Sequence, residues 1–378
     1  FTKENSVEIS CHGSQYIINT IIQLLVNRGV RLANPGEFTQ RAYLNGRFDL
    51  AQAEAVADLI ASENEAAHTI ALNQMRGGIS KEIKNLREKL VHFASMIELE
   101  LDFGEEDVEF ASRDELKALI LNIDKVLVKL IDSFQLGNVI KNGVPVVIVG
   151  KPNAGKSTLL NALLEDERAI VSEIAGTTRD IIEDELNIKG VKFRFIDTAG
   201  LRETKDEIEA IGVERAEQKM KEAALIMYLF DLSTESLEII QSQEAALMER
   251  SKPYILVGNK VDKVEQEYSQ LQSNKHYVSI SAKSTSGIER LKDLIWDKSQ
   301  MANFQPGNVV VTNIRHYQSL LNTQSSLHDV VRGIDNRITN DFLAQDIRHA
   351  LHYLGEITGE ITTDDLLANI FSKFCIGK

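Results

Sequence analysis

The residues Gly150-Lys151-Pro152-Asn153-Ala154-Gly155-Lys156-Ser157 place two glycines, a lysine and a hydroxyl in the spacing of a phosphate-binding loop. The glycines let backbone N–H groups turn toward phosphate oxygens, and the start of a following helix adds its positive end. Lys156 would reach the β- and γ-phosphates, and Ser157 would ligate Mg²⁺. Asn153, Ala154, Gly155 and Thr158 complete the expected nucleotide contacts from this loop. The plain alternative is a chance glycine-rich turn. The apolar run Val144 to Val149 before it and the helical spacing after it weigh against that.

Three further motifs follow in order. Asp197-Thr198-Ala199-Gly200 closes a strand-like run. Asp197 would hold Mg²⁺ through water and the Gly200 N–H would sense the γ-phosphate, although this tetrapeptide alone is weak. Asn259-Lys260-Val261-Asp262 follows another apolar run. An aspartate there accepts both N1–H and the 2-amino group of guanine, a pattern adenine lacks. Ser281-Ala282-Lys283 comes after the last run and would meet guanine O6 through backbone N–H. Four motifs in this order, each after a strand, point to a GTP-binding domain.

Gly176-Thr177-Thr178-Arg179-Asp180 lies where a switch loop belongs. A threonine there would complete the Mg²⁺ shell; Thr178 is favoured and Thr177 stands next. The bland reading is a turn and helix cap. After Gly200 comes Leu201, where small Ras-like GTPases carry a water-orienting glutamine. Leucine cannot hydrogen-bond water, so hydrolysis needs another group. Glu203, Asp206, Glu207 and Glu209 are acidic candidates, and nothing intrinsic selects one over a solvated surface charge. With no evident arginine finger, a monovalent cation would supply positive charge, and the Asn153 side-chain carbonyl suits such an ion.

The elements that must position these groups divide the chain. Its 378 residues exceed one ordinary core, so two or three domains are expected. Hydrophobic residues at 43% and charged residues at 26% give a globular balance with no membrane-length apolar run. The cysteines, Cys11 and Cys375, exclude a disulfide framework and fit a cytoplasmic setting. A net charge of −14 argues against non-specific nucleic-acid binding. The chain opens at Phe1 rather than Met, so a preceding segment is expected.

Residues 1–33 read as a small mixed piece, with a strand-like Val7 to Ser10 and an apolar helix from Ile17 to Val26. Helical spacing covers Asp49 to Gln74, Ile79 to Leu101 and Asp114 to Phe134, with an acidic patch at Glu105-Glu106-Asp107. Gly137 to Gly143 reads as a linker. Strands are expected at 144–149, 183–188, 192–196, 225–230, 254–257 and 277–280, the second and third joined as an antiparallel hairpin at Lys189-Gly190. The rest of the sheet would be parallel with crossover helices. After Pro306-Gly307 helical spacing returns. The fold class is therefore multidomain: an α/β P-loop G domain (mixed, mostly parallel sheet) inserted into a discontinuous α-helical domain. The expected boundaries are 1–33, 34–140, 141–300 and 301–378.

Gly-Lys-Pro-Asn-Ala-Gly-Lys-Ser, Ala-Gly-Thr-Thr-Arg-Asp and Asp-Thr-Ala-Gly-Leu-Arg resemble the TrmE–Era–EngA branch of GTPases. The ending Phe374-Cys375-Ile376-Gly377-Lys378, the flanking helices and Pro35-Gly36-Glu37-Phe38-Thr39-Gln40-Arg41-Ala42 resemble the tRNA modification GTPases of the MnmE (TrmE) family, over essentially the whole chain. The resemblance implies a homodimer built through an N-terminal folate-binding domain, of which residues 1–33 would be the final part. It implies a flavin-dependent partner, MnmG (GidA), with which the wobble uridine of certain tRNAs is modified at C5 using a folate-derived carbon (5-formyl- or methylene-tetrahydrofolate). It also implies G domains that pair across GTP when K⁺ binds. The matched K⁺ ligand is Asn153 and the matched base-like glutamate is Glu209; Arg179 and Arg202 match switch positions.

The same resemblance makes Cys375 a candidate in the modification chemistry and Arg41 and Lys378 candidates at the folate site. Against this, a cysteine near a terminus is more often a small apolar residue or a stray thiol, and Glu37 and Arg41 fit an exposed helix start. His349 and His352 share a helix face but lack a third metal ligand. Asn313, Arg315 and His316 match a family segment with a structural or domain-contact role. Two other readings stand beside this one. A ribosome-assembly GTPase like Era or EngA would carry a basic RNA-binding domain or a second G domain. A scaffold would use nucleotide only to tune dimerisation.

Overall fold

The computed structural model describes residues 1–102, 112–168, 183–197, 217–265, 268–299, 301 and 307–375. The chain forms two compact units, one of residues 1–62, 68–134 and 307–378, the other of 63–67 and 135–306. The first is helical and discontinuous in sequence; the second carries the sheet.

The N-terminal helices are α1 (Gln15–Asn27), α2 (Glu37–Leu44), α3 (Leu50–Ile60), α4 (Glu65–Met75), α5 (Gly78–Asp102) and α6 (Arg113–Asn142). The expected strand at Val7 to Ser10 is absent: these residues form no regular element and are exposed, and no described strand pairs with them. Unpaired backbone gains nothing from strand geometry when water can satisfy it. The helical run expected over 49–74 is two helices. Asp49 opens α3 with a capping box on Gln52, and Asn64 accepts from the Ala67 N–H at 2.8 Å to start α4. The linker expected at 137–143 is helical to Asn142. Gly137 costs about 1 kcal/mol inside a helix. That cost is offset by Ile140, which is fully buried and whose carbonyl accepts from Asn64 Nδ2 at 3.4 Å.

In the sheet unit, β1 (Val144–Val149) leads into α7 (Lys156–Arg168), followed by β2 (Glu183–Ile188), β3 (Val191–Asp197) and β4 (Leu225–Asp231). Then come α8 (Leu237–Glu249), β5 (Tyr254–Asn259), the short α9 (Ser269–Gln272), β6 (Tyr277–Ser279) and α10 (Ile288–Lys298). The strand order is β2-β3-β1-β4-β5-β6. Only the β2–β3 pair is antiparallel, turning at Lys189-Gly190 as expected. All other pairs are parallel, which places the ends of β1, β3, β4, β5 and β6 along one edge. The central strands read as continuous apolar runs because both faces are covered: every residue of β5 is buried, as is all of β4 except Asp231.

The helical unit closes with α11 (Ile314–Asp335), α12 (Asn340–Thr358) and α13 (Asp364–Ser372). Its core joins α5 and α6 to the returning helices through Ile79, Leu90, Ile97, Ile120, Leu327 and Ile347. The re-entering segment is fixed by Gln74 Nε2 on the Val310 carbonyl at 2.8 Å and by Ser133 Oγ, which accepts from the Val311 N–H at 3.0 Å.

Candidate nucleotide-binding site

In a parallel α/β sheet, ligands bind beyond the carboxyl ends of the strands. Here those ends carry the sequence-predicted residues. The phosphate-binding loop leaves β1 at Gly150, where a Cβ would lie 2.0 Å from the Leu229 carbonyl oxygen. At Gly155, with φ 98°, a Cβ would meet Asn259 Nδ2 at 2.3 Å. Only glycine fits either position. Lys156 begins α7, is buried, and donates to the Gly150 carbonyl at 2.7 Å, which closes the loop on itself. Ser157 and Thr158 are exposed in the first helical turn, and Ala154 is buried under the loop. Asn153 is exposed and left-handed, with φ 66°.

Asn259 ends β5 and is 2% exposed. Its Nδ2 donates to the Ala154 carbonyl at 2.8 Å, and its Oδ1 accepts from the Lys260 N–H at 2.8 Å and the Ala282 N–H at 3.0 Å. One amide thus ties the phosphate loop to both base-side motifs. Lys260 Nζ donates to the Asn153 carbonyl at 2.9 Å and to Asp231 Oδ2 at 2.6 Å. Asp262 lies exposed in the short turn Val261–Lys263. A hydrogen bond from Ser281 holds its carboxyl below the usual range. Ser281 is buried and fixes its own turn by accepting from the Ser284 N–H at 3.3 Å. Ala282 is buried beside it and Lys283 is exposed.

Asp197 closes β3 opposite Ile148 of β1, so its backbone stands at the same edge. Thr177, Thr178, Arg179, Gly200, Arg202 and Glu209 lie outside the described residues, as do Glu105 to Asp107 and Lys378.

The helical unit holds the other candidates. Arg41 pairs with Glu37 through Nε at 3.1 Å and Nη2 at 2.7 Å, and Arg31 binds the same carboxylate at 2.7 Å. The hydrogen bond from Arg31, then those from the Asn34 N–H and Arg41, hold the Glu37 carboxyl far below its ordinary value. Glu37 is therefore buried and engaged, not a solvated helix-start charge. Both arginines line a cavity of about 330 Å³ with Glu4, Asn5 and Phe38. Cys375 is exposed, and its carbonyl accepts from the Gly36 N–H at 3.3 Å, which brings the tail to the start of α2. His349 is exposed, and His352 faces Glu356 at 3.3 Å; no group of three metal-binding side chains occurs among the described residues. Asn313 caps α11 by accepting from the Arg315 N–H at 2.9 Å.

Sequence reasoning missed four groups. Asp231 ends β4 and Glu235 follows it, and they contact Lys260 and Lys151 respectively. A carboxylate closing an apolar strand at the ligand edge was the available signal for Asp231. Tyr228 hydrogen-bonds Glu235 from within β4 and had no signal. Glu54, buried against Arg315 and His316, had none either.

A family model described as the MnmE helical domain matches residues 50–375, and one described as the GTP-binding protein TrmE N-terminus matches residues 1–47. The chain belongs to the MnmE family of tRNA modification GTPases. A tRNA modification GTPase MnmE of Cytophaga hutchinsonii is 60% identical over all of this chain and 82% of its own length. Those of Flavobacterium psychrophilum and Bacteroides thetaiotaomicron are 53% and 50% identical, each over all of this chain and 83% of the relative. A solved structure of Aquifex aeolicus Era bound to GDP and AlF₄⁻ is 28% identical over 48% of this chain and 66% of its own, with a TM-score of 0.33. MnmE membership sets aside the Era- or EngA-like ribosome-assembly reading. No described helix is long and apolar enough to cross a membrane.

Proposed function

We propose that this chain binds GTP at the carboxyl edge of its sheet and hydrolyses it with K⁺ stimulation, as part of a tRNA wobble-uridine modification at C5. One observation carries the reading: Lys156, Asn259, Lys260 and Ala282, up to 126 residues apart in sequence, are interlocked around the phosphate-loop backbone.

In this reading the loop amides and Lys156 bind the phosphates. Lys260 covers the base, and the ionised Asp262 accepts from guanine N1–H and N2. Ser157, exposed at the start of α7, would hold Mg²⁺ with Thr178. Asn153 would hold K⁺: its backbone carbonyl is taken by Lys260, and its side chain is exposed at the loop surface. The cations would supply positive charge beside the phosphate oxygens, where charge builds up during transfer. Glu209 orients the attacking water in place of the glutamine that Leu201 replaces. Switch ordering, G-domain pairing, hydrolysis and release then follow in turn.

The full reading includes a homodimer, the flavoprotein MnmG as partner, tRNA as substrate and a folate-derived carbon. Residues 1–33 would end the folate-binding domain. Residues 34–140 and 301–378 would form the helical domain, and 141–300 the G domain. Arg41, on the 330 Å³ cavity, and Lys378 would bind folate carboxylates, with Cys375 acting in the modification. The Arg41 fit is chemical: its Nη1 meets Glu4 at the long distance of 3.5 Å, and its charge suits a carboxylate ligand.

The test is GTP turnover in potassium against sodium buffer, with Asn153→Ala and Glu209→Ala alongside. The expected result is strong K⁺ stimulation that Asn153→Ala abolishes, and GTP binding without turnover in Glu209→Ala. Equal slow rates in both salts would contradict the cation-activated mechanism and favour a nucleotide-gated scaffold.

A further inference from the structure

Two carboxylates from one short connection hold the phosphate loop at two points. The connection after β4 is a tight turn: the Asp231 carbonyl accepts from the Thr234 N–H at 3.1 Å and the Glu235 N–H at 3.0 Å. Within it, Asp231 Oδ1 accepts from the Ser233 N–H at 3.0 Å and from Ser233 Oγ at 2.6 Å. That leaves Oδ2 aimed at Lys260 Nζ, at 2.6 Å, and the same ammonium reaches the Asn153 carbonyl at 2.9 Å.

Glu235 is the second anchor. Its side chain is 4% exposed, and Oε1 lies 2.6 Å from Nζ of Lys151, which is 56% exposed; the contact is a charge pair, since Oε1 has no aligned hydrogen bond among the described residues. Tyr228 hydrogen-bonds it from β4. Burial first, then the Glu235 charge, push that phenol up to about 12. A carboxylate this deep gains little stability from an exposed lysine, because such pairs contribute about 0–1 kcal/mol while burial of the charge costs several. Stability alone does not account for it.

Position does. Between the two tethers, Lys151 and the Asn153 carbonyl, lies Asn153 itself at φ 66°. A non-glycine residue in that region costs of order 1 kcal/mol and persists where its surroundings over-determine it. The two lysine–carboxylate pairs supply that constraint on either side of the strained residue.

We propose that Asp231 and Glu235 are positioning residues for the nucleotide, pinning the strained turn of the phosphate loop through Lys260 and Lys151. This rests on the reading of that edge as a GTP site. When either pin is removed, the turn relaxes toward right-handed geometry and its amides leave the phosphate-binding arrangement. Nucleotide then departs faster without any direct contact having been lost.

The experiment is release of a fluorescent GDP analogue from the full chain, measured by stopped flow. The variants are Glu235→Gln, Lys151→Gln, their combination, Asp231→Asn and Lys151→Arg. Glu235→Gln, Lys151→Gln and Asp231→Asn are each expected to speed release about tenfold, and the Glu235/Lys151 double to be no faster than its worse single, because the pair acts as a unit. Lys151→Arg, which keeps the charge, stays within about twofold of wild type. Wild-type release rates in the singles, or a double whose effect is the product of its singles, would overturn the proposal. If Glu235→Gln does not fold, Lys151→Gln at its exposed position and Asp231→Asn decide the matter. A wild-type chain that fails to bind the analogue would instead sink the nucleotide-site reading.

Discussion

The sheet edge and the helical core each contain a carboxylate held by basic side chains, and the two arrangements differ in what is left open. In the helical unit, Glu54 is 9% exposed. Arg315 grips it with Nε at 3.1 Å and Nη2 at 2.6 Å, and His316 Nε2 lies at 2.8 Å. Arg315 also donates to the carbonyls of Glu356 and Ile357 at the end of α12. The cluster joins α3, α11 and α12, and its carboxylate is satisfied internally. At the sheet edge, Asp231 and Asn259 are equally well held, yet the groups they hold, the phosphate loop and Lys260, stand beside the exposed Asn153, Ser157 and Asp262. A charge cluster closed on itself fixes a fold. One that fixes an open loop of backbone donors prepares a site for an anion.

That contrast breaks if the two sets of variants behave alike. The largest effect is expected at the open edge. Lys156→Ala should cut GTP turnover about a thousandfold, as loss of one charged contact to the transition state does, while leaving the unfolding midpoint near wild type. A steady-state assay beside a thermal melt checks both. The reverse pattern is expected in the closed cluster. Glu54→Ala leaves Arg315 buried without its partner and should cost about 3 kcal/mol in denaturant unfolding, with GDP affinity unchanged.

Acid sharpens the second case. Burial raises the Glu54 carboxyl, but His316 and Arg315 outweigh it and bring it to about 2, from an ordinary 4.5. A depressed carboxyl contributes stability above its unfolded value and loses it as pH falls through the folded one. The stability gap between wild type and Glu54→Gln should therefore be nearly full above pH 4.5 and shrink by about 3 kcal/mol as pH falls to 2. A constant gap over that window would deny the ion pair its role. The smallest effect is at a surface cap. Thr363 accepts from the Leu366 N–H at 3.3 Å to start α13. Thr363→Ala should cost about 1 kcal/mol in the same unfolding assay, without change in turnover.

Much of the site was legible because it is local in sequence. The residue types of a phosphate loop, a base-reading aspartate and a closing serine sit at strand ends, and period-two and period-3.6 patterns place those strands and helices. The hairpin at Lys189-Gly190 was readable from its turn residues alone. Four features were not. Gly137 reads as a break, yet the buried Ile140 continues α6 past it. Val7 to Ser10 alternates like a strand but has no strand beside it among the described residues, and alternation cannot supply one. Glu54 meets Arg315 and His316 across more than 260 residues, a pairing that packing creates and spacing does not announce. Glu235 was hidden for a related reason: a glutamate after a strand reads as surface charge until Tyr228 and Lys151 are seen beside it.

The central claim is that the sheet edge is built to read guanine and hold its phosphates. The most direct measurement is the affinity of wild type and Asp262→Asn for GDP and for xanthosine diphosphate, whose base carries a carbonyl where guanine has its 2-amino group. A swap is expected: Asp262→Asn loses about a hundredfold in GDP affinity and gains for the xanthine nucleotide, because asparagine donates where aspartate accepts. Unchanged preference for GDP in the variant would contradict it and place the base elsewhere.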